Sequence, residues 1–425
     1  MFLPMLSAPF SRACGIDFGT SNSTAAALRD GRAVLFPLES GRPTLPSVVF
    51  FNAEENCTRF GRAGLDDYLA GYEGRLMRAL KSLLGSRLIE GQTEVAGRVL
   101  PFRDLLGQFI ADVKRRADAH AGRAFEHVVL GRPVHFVDND TQADRAAEDT
   151  LAAIAREVGF KEVSFQYEPI AAAFHYETGI DREELVLVVD IGGGTSDFSL
   201  VRLSPERARR EVRQDDVLAN GGVHIGGTDF DRLFSLECVM PRLGYRGRVR
   251  SGREMPSSIF FTLATWHLIN SAYTRQALAE QRQLAQEAAC EQTAARLIRL
   301  LDTRAGHWLA NEVEQAKIGL SGAASVDLAL GRLEPGLHVP LTRDAFDAAS
   351  AALIERIAET VGEVLGGAGV PLGQVDTVFF TGGSSGIPRL RTRIAQLLPG
   401  ARAVEGDLFG SIGAGLAVEA VRRYG

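Results

Sequence analysis

The chain has few cysteines, and their spacing fits neither a disulfide framework nor a structural zinc site. Its 425 residues include only Cys14, Cys57, Cys238 and Cys290, which lie far apart and form no CxxC pair. Disulfide-stapled folds and structural zinc sites need sets of cysteines at characteristic spacings. The sequence therefore predicts isolated thiols in a reducing compartment and a fold that depends on its apolar core.

Long hydrophobic runs and an excess of positive charge are also lacking. No apolar run reaches the ~18–20 residues of a membrane span. The mildly apolar segment Met1–Phe10 has no basic residues of the kind that open a signal peptide. The net charge is −6 and no basic run stands out, which argues against general nucleic-acid binding. We therefore expect a cytoplasmic protein that binds neither membranes nor nucleic acid.

What the chain does contain is a pair of similar glycine-rich loops. The first is GIDFGTSNST at residues 15–24, and the second is VDIGGGTSDF at residues 189–198. Each places an aspartate at the end of an apolar strand, followed by glycine and threonine, so that backbone N–H groups can approach phosphate oxygens. The carboxylates suit a hydrated Mg²⁺, and no GxxxxGK[ST] loop occurs. Two such hairpins facing each other predict a clamp for one polyphosphate.

Apolar strands alternate with helical stripes along most of the chain. Strands are predicted near Ser47–Phe51, Glu126–Leu130, Leu185–Asp190, Phe198–Leu203 and Asp376–Thr381. This alternation indicates α/β layers, and the repeated loop predicts two similar lobes with a ligand cleft between them.

A long stretch from about Ser257 to Leu320 differs from the rest. It is rich in Ala, Gln, Glu, Arg and Leu and nearly free of Gly and Pro, which predicts two or three helices. A solvated helical subdomain is the simpler interpretation, and a partner-docking arm is the alternative.

Six further segments accompany the two loops. They are ALKSLLG, GRPVHF, YEPIAAA, GVHIGGTDFD, EQAKIGLS and TGGSSGIP, beginning at residues 79, 131, 167, 222, 314 and 381. In this order, the eight motifs resemble the nucleotide-binding domain of the seventy-kilodalton heat-shock (DnaK-type) chaperones, over nearly the whole chain. The resemblance implies an α/β, actin-like two-lobed ATPase fold of duplicated ribonuclease-H-like domains with a helical insertion.

The resemblance also implies where the domains lie. Lobe I would cover residues 13–180, with an outer subdomain at about 41–108. Lobe II would cover residues 181–411, with an enlarged helical outer subdomain at about 228–338. Residues 412–425 would form a C-terminal helix that packs back toward lobe I.

Candidate site residues follow from the matching motif positions. Catalysis would involve Lys81, Glu168, Thr195 and Asp197. Asp17 and Asp190 would hold Mg²⁺, with K⁺ as a candidate monovalent cation. The nucleotide, ATP or ADP, would be bound by Gly19, Thr20, Ser21, Asn22, Gly193, Gly194, Thr195, Gly227, Glu314, Lys317, Ser321, Gly382, Gly383 and Ser384. From the residues alone, Asp17 could instead cap its own turn, and Lys81 could be an exposed lysine at a helix end.

Some features depart from the family pattern. The arginine that stacks on adenine in many members is Gly386 here, the interval from Asp231 to Glu314 is longer, and we expect no peptide-binding β-domain or helical lid. These features resemble the YegD-like group of stand-alone ATPase-domain proteins. We therefore expect an ATP-hydrolysing, chaperone-like nucleotide switch with an unknown protein partner or client.

Two other functions remain open on the same fold. One is an actin-like, non-catalytic scaffold, which would sediment in a nucleotide-dependent way. The other is a small-molecule kinase or phosphohydrolase, although no catalytic aspartate beside an acceptor hydroxyl can be singled out. The motifs around Lys81 and Glu168 favour the heat-shock branch, since fold alone does not decide function.

Overall fold

The computed structural model describes residues 8–95, 98–137, 140–177, 179–210, 213–407 and 410–425. The chain forms two compact units. The first contains Met1–Gly222, Val361–Ser385 and Ala395–Gly425, and the second contains Val223–Thr360 and Gly386–Ile394. The division into lobes at residues 180 and 411 remains a prediction.

The strands follow one another through most of the chain. They are β1 (Ala13–Phe18), β2 (Asn22–Arg29), β3 (Arg32–Leu35), β4 (Leu45–Pro46), β5 (Val48–Asn52), β6 (Cys57–Phe60), β7 (Gly74–Arg78), β8 (Gln92–Val95), β9 (Arg98–Pro101), β10 (His127–Arg132), β11 (Glu162–Tyr167), β12 (Glu184–Ile191), β13 (Ser196–Leu203), β14 (Val217–Val223), β15 (Ser325–Ala329), β16 (His338–Thr342), β17 (Thr377–Thr381) and β18 (Arg402–Glu405).

The α-helices lie between these strands. They are α1 (Gly61–Ala70), α2 (Phe102–Ala121), α3 (Thr141–Glu157), α4 (Glu168–Glu177), α5 (Gly227–Phe234), α6 (Ser258–Ala264), α7 (Arg275–Glu287), α8 (Glu291–Asp302), α9 (Gly306–Gly322), α10 (Arg343–Gly367), α11 (Pro388–Leu397) and α12 (Ser411–Tyr424). None among the described residues has the length and apolarity needed to cross a membrane.

Two sheets of the first unit share one topology. The first has the order β11-β10-β1-β2-β3, with β4 also paired to β2, and the second has the order β14-β13-β12-β17-β18. In each, the central strand pairs antiparallel with the strand that follows it and parallel with a later one. β1 is buried along its whole length and β12 along most of it, since layers cover the sheets. The chain therefore repeats one α/β sheet, and each copy places a glycine-rich loop after its central strand.

The C-terminal helix α12 packs closely on the first sheet. A Cβ added at Gly15 of β1 would lie 2.4 Å from Ala417 N, and one added at Gly415 would lie 1.9 Å from Ala171 O. Only glycine permits this approach of backbone to backbone. The helix therefore braces β1 and α4, the two elements that carry Asp17 and Glu168.

Sequence reasoning undercounts the helices between residues 257 and 320. The structure has α6, a 3₁₀ segment Trp266–Tyr273, α7, α8 and α9, where two or three helices were expected. No Pro marks the breaks. Helix α7 starts where Thr274 Oγ1 accepts from Ala277 N at 3.3 Å, and it ends near Ala288, which forms a β-bridge to Val249. Long-range pairing sets the end of α7, so local sequence does not show that boundary.

Candidate functional site

The first glycine-rich loop is a tight hairpin between β1 and β2. Asp17 is buried at the end of β1 and lies opposite Thr24 in the register. A Cβ on Gly19 would come 2.2 Å from Asn22 O, so the turn requires glycine. Ser47 Oγ donates to Gly19 O at 2.6 Å, and Ser47 N donates to Ser21 O at 2.8 Å. Ser47 therefore pins the loop, a role that sequence reasoning missed.

The second loop repeats this arrangement after β12. Asp190 lies opposite Asp197 in the antiparallel register, and Gly192 N donates to Thr195 O at 3.0 Å to close the turn. Thr195 Oγ1 donates to Asp197 Oδ2 at 2.8 Å. The carboxylate therefore orients the threonine hydroxyl at the loop.

The two loops touch each other within the first unit. A Cβ added at Gly193 would lie 1.9 Å from Ser21 Oγ, whereas one at Gly194 would meet no atom within 4 Å. The tip of the second loop thus rests against the hydroxyl of the first, and the neighbouring glycine faces open space. The tertiary structure brings together two turns that are far apart in sequence.

A third segment, after β17, packs against the second loop. Gly382 has φ of +79°, and a Cβ there would lie 2.3 Å from Asp190 Oδ1 and 2.6 Å from Ile191 O. Ser384 Oγ donates to Gly192 O at 3.2 Å. This turn therefore supports the loop that carries Asp190.

One lysine lies among the carboxylates of both loops. Lys81, on the 3₁₀ turn Leu80–Leu83, places Nζ 2.5 Å from Glu168 Oε1 at the start of α4, and both side chains are largely buried. Burial lowers the pKa of Lys81, but the surrounding carboxylates outweigh it and hold that pKa above its ordinary value. Those carboxylates are Glu168, Asp17 and Asp190.

The aspartates of the loops are in turn strongly perturbed. Burial, reinforced by the charge of Glu168 and only partly offset by Lys81, raises the pKa of Asp17 to about 7. Burial also raises the pKa of Asp190 well above its ordinary range, with further contributions from Asp197, Glu168 and Asp17. One ammonium thus faces an excess of carboxylates, the imbalance expected where a further cation binds.

The donor set fits a hydrated divalent cation. Among the described residues, no three His, Cys, Asp or Glu side chains are placed to coordinate one metal together. Mg²⁺ commonly keeps several waters and takes only one or two protein carboxylates. Asp17 and Asp190 would suit that role because their shared negative charge is not neutralised by Lys81 alone.

A separate group of candidate residues lies in the second unit. Gly227 opens α5, and on α9 the buried Lys317 places Nζ 2.9 Å from Asp231 Oδ1 and 3.1 Å from Gly227 O. Glu314 and Ser321 share its helical face and are partly exposed. Lys317 therefore ties α9 to α5, and Asp231 is a partner that sequence reasoning did not assign.

The predicted residues thus fall into two sets. The second unit holds Gly227, Glu314, Lys317 and Ser321. The first unit holds Asp17, Gly19, Thr20, Ser21, Asn22, Lys81, Glu168, Asp190, Gly193, Gly194, Thr195, Asp197, Gly382, Gly383 and Ser384.

A duplicated sheet with a phosphate-type hairpin on each copy defines the class of actin-like ATPases. The chain matches the family model described as Hsp70 protein over residues 85–239 and 288–420, more than half of its length. It therefore belongs to the Hsp70 family, and the predicted actin-like α/β ATPase fold is confirmed. Membership of this family indicates an ATP-binding, chaperone-like protein.

Proposed function

We propose that this protein binds ATP and hydrolyses it to ADP and phosphate in the presence of Mg²⁺, and that it acts as a nucleotide-dependent switch. The observation that supports this most is the coupled charge group at the two touching loops. Asp17 and Asp190 carry raised pKa values, and Lys81 is held against Glu168 beside them.

The loops would hold the phosphates. Backbone N–H groups at Gly19, Gly193 and Gly194, with the hydroxyls of Thr20 and Ser21, are the donors that polyphosphate oxygens accept. The side chain of Asn22 adds a neutral donor at the start of β2. Asp17 and Asp190 would bind waters of Mg²⁺, which when bound neutralises charge on the β- and γ-phosphates.

The hydrolytic step needs a positioned water more than a strong base. Water oxygen forms a bond to the γ-phosphorus, the bond to the bridging oxygen of ADP breaks, and the water proton leaves to solvent or phosphate. Lys81, held in place by Glu168 at 2.5 Å, would stabilise charge on the γ-phosphoryl oxygens. Thr195, oriented by Asp197, would align the water, and K⁺ is a candidate monovalent cation there.

The nucleoside would contact the second set of residues. Glu314 and Ser321 are partly exposed and present ribose-binding oxygens on one face of α9. Two of the three donors of Lys317 have partners in Asp231 and Gly227 O, so this lysine acts mainly by positioning α9. On β17 and its turn, Gly382, Gly383 and Ser384 would let backbone approach the adenosine.

The cellular role follows from the family. Hsp70 proteins couple ATP to the handling of client proteins, and this chain would serve as a cytoplasmic switch whose nucleotide state a protein partner or client reads. We assign it to the YegD-like group.

Calorimetry and single-turnover hydrolysis test the proposal. Wild-type protein should bind ATP and ADP only weakly without Mg²⁺ and should turn over ATP with it. Asp190→Asn should lose the Mg²⁺ dependence, whereas the exposed Asp181→Asn should behave as wild type. Absence of ATP binding with Mg²⁺ would refute the proposal. Binding without hydrolysis, together with nucleotide-dependent sedimentation, would instead support the actin-like scaffold.

A further inference from the structure

The segment between the two matched parts of the chain has a distinct charge. Residues 240–287 lie outside the Hsp70 family match. They contain seven arginines, three glutamates and no lysine or aspartate, a net charge of +4 in a chain whose total is −6. The segment thus opposes the charge of the whole protein, and the family model does not match it.

Most of this positive charge lies on one short stretch. Five arginines between Met240 and Glu254 are exposed: Arg242, Arg246, Arg248, Arg250 and Arg253. We call these five the arginine turn. Sequence reasoning overlooked them because the arginines alternate with other residues, so that no continuous basic run appears.

The backbone of the arginine turn is ordered by pairing. Val249 N donates to Arg253 O at 2.9 Å, and Gly252, with φ of +88°, closes the turn. Ala289 N donates to Arg248 O at 2.9 Å, which fastens the turn to the start of α8. A partner would therefore bind arginines on a pre-formed backbone, so binding would carry little entropic cost of ordering this loop.

Arg246 donates to both carboxylate oxygens of Glu237, at 2.8 and 2.7 Å, whereas the partners of Arg248, Arg250 and Arg253 are weaker. Arg250 Nη2 lies 3.2 Å from Glu291 Oε1, and the two side chains are 65% and 86% exposed. Arg253 Nε reaches Ser251 Oγ at 3.4 Å. Exposed pairs of this kind contribute little to stability, so an incoming carboxylate can replace them at little cost.

Aromatic and apolar side chains adjoin the arginines. The guanidinium of Arg246 lies 5.1 Å from the ring centre of Tyr245, whose ring is 6.1 Å from that of Phe261. Phe261 is 41% exposed, and Leu268 on the following 3₁₀ segment is 43% exposed. Arginine and aromatic residues together are typical of interface anchors.

We propose that the arginine turn and Phe261 form a docking surface for an acidic protein segment that also carries an aromatic or aliphatic anchor. Charge complementarity favours this occupant, because planar guanidinium groups bind carboxylates in a bidentate manner. Nucleic acid is less suited, since the rest of the chain has a net charge of −10, from −6 for the whole and +4 for the segment. The proposal goes beyond the nucleotide chemistry and does not depend on it.

Fluorescence anisotropy with the full chain tests the surface. The probe is a labelled twelve-residue peptide of glutamates with one central phenylalanine. Wild-type protein should bind it, and binding should weaken at higher salt. The triple variant Arg248→Gln, Arg250→Gln, Arg253→Gln should bind about tenfold or more weakly, and Phe261→Ser about three- to tenfold more weakly.

Controls keep the test specific. The triple variant Arg32→Gln, Arg42→Gln, Arg182→Gln removes the same charge from exposed positions outside the insertion and should bind as wild type. Thermal unfolding should show that every variant folds. The proposal is wrong if the peptide does not bind, if both triple variants lose affinity equally, or if a single-stranded oligonucleotide of equal charge binds more tightly. Self-association that the Arg248–Arg253 triple variant abolishes, in the absence of peptide binding, would assign the surface to a second copy instead.

Discussion

Two groups of charge lie at opposite ends of helix α4, and they differ in balance. At its C-terminal end, Arg213 binds Glu177 through two bonds of 2.7 Å and also binds Asp216, and each of the three side chains is 1% exposed. Arg207 Nη1 adds a bond of 2.5 Å to Asp216 Oδ1. Every charge there has an opposite partner.

At the N-terminal end of α4 the charges do not cancel. Glu168 shares Lys81 with Asp17 and Asp190, and the pKa values of both aspartates are raised. A structural ion network is expected to be saturated, because an unpaired buried charge is costly. A group left with excess negative charge suits a cationic ligand. The contrast indicates that one end of α4 holds the fold together and the other is prepared for a substrate.

The largest expected effect is on stability, at the C-terminal end of α4, where every charge has an opposite partner. Arg213→Ala would leave Glu177 and Asp216 buried without a cation, which should lower the free energy of unfolding by about 3–5 kcal/mol. Urea denaturation measures this. Arg246→Ala, which removes an exposed pair with Glu237, is the control and should change the free energy of unfolding far less. Equal losses of unfolding free energy in the two variants would mean that the charges at the C-terminal end of α4 do not hold the fold together.

Next in size is the effect of the central cation on catalysis. Lys81→Ala should lower single-turnover ATP hydrolysis by roughly 10²–10³-fold, as for loss of one electrostatic donor, while ATP affinity stays nearly unchanged. Lys161→Ala removes an exposed lysine paired with Glu126 and should leave the rate as in wild type. A normal rate for the Lys81 variant would mean that the lysine has a structural role only.

The excess of carboxylates at the N-terminal end of α4 should also make stability depend on pH. Asp17 has a pKa of about 7 in the fold against an ordinary 3.8, so the unfolded chain releases this proton first as the pH rises. Native stability is therefore lost between those values, and Asn, which does not ionise, avoids the loss.

Without nucleotide or Mg²⁺, Asp17→Asn should thus be more stable than wild type at pH 8, by an amount on the order of a few kcal/mol. The difference should fade toward pH 4. Urea titrations at both pH values measure it, and a gain that is the same at each pH would show that repacking, not ionisation, is responsible.

The smallest effect concerns the contact between the loops. Gly193→Ala would place Cβ 1.9 Å from Ser21 Oγ, so the serine must rotate and ATP affinity should fall about three- to tenfold. Gly362→Ala on α10 also meets no atom within 4 Å and is the matched control. In the Ser21→Gly background, Gly193→Ala should cause no further loss of affinity by calorimetry, because the clashing hydroxyl is gone. A further loss in that background would mean that the contact between the loops is not the cause.

Much of the fold was predictable from local pattern. The strands expected near Leu185–Asp190 and Asp376–Thr381 are β12 and β17, because short continuous apolar runs bounded by turns are typical of buried strands. Thr342 accepts from Ala345 N at 3.2 Å and starts α10 as a capping residue does. The end of α7 was not predictable, since the pairing of Ala288 with the distant Val249 sets it.

The sequence itself determined the chemistry of the candidate site. It contains two hairpins with aspartate, glycine and threonine, and adjacent residues set the geometry of such short turns. Only the tertiary structure decided which charges meet. It paired Lys81 with Glu168, used Ser47 to pin the first loop, engaged Lys317 with Asp231, and gathered arginines separated by other residues onto one exposed turn. The physical reason is that electrostatic coupling depends on distance in space and on burial, neither of which is local in the chain.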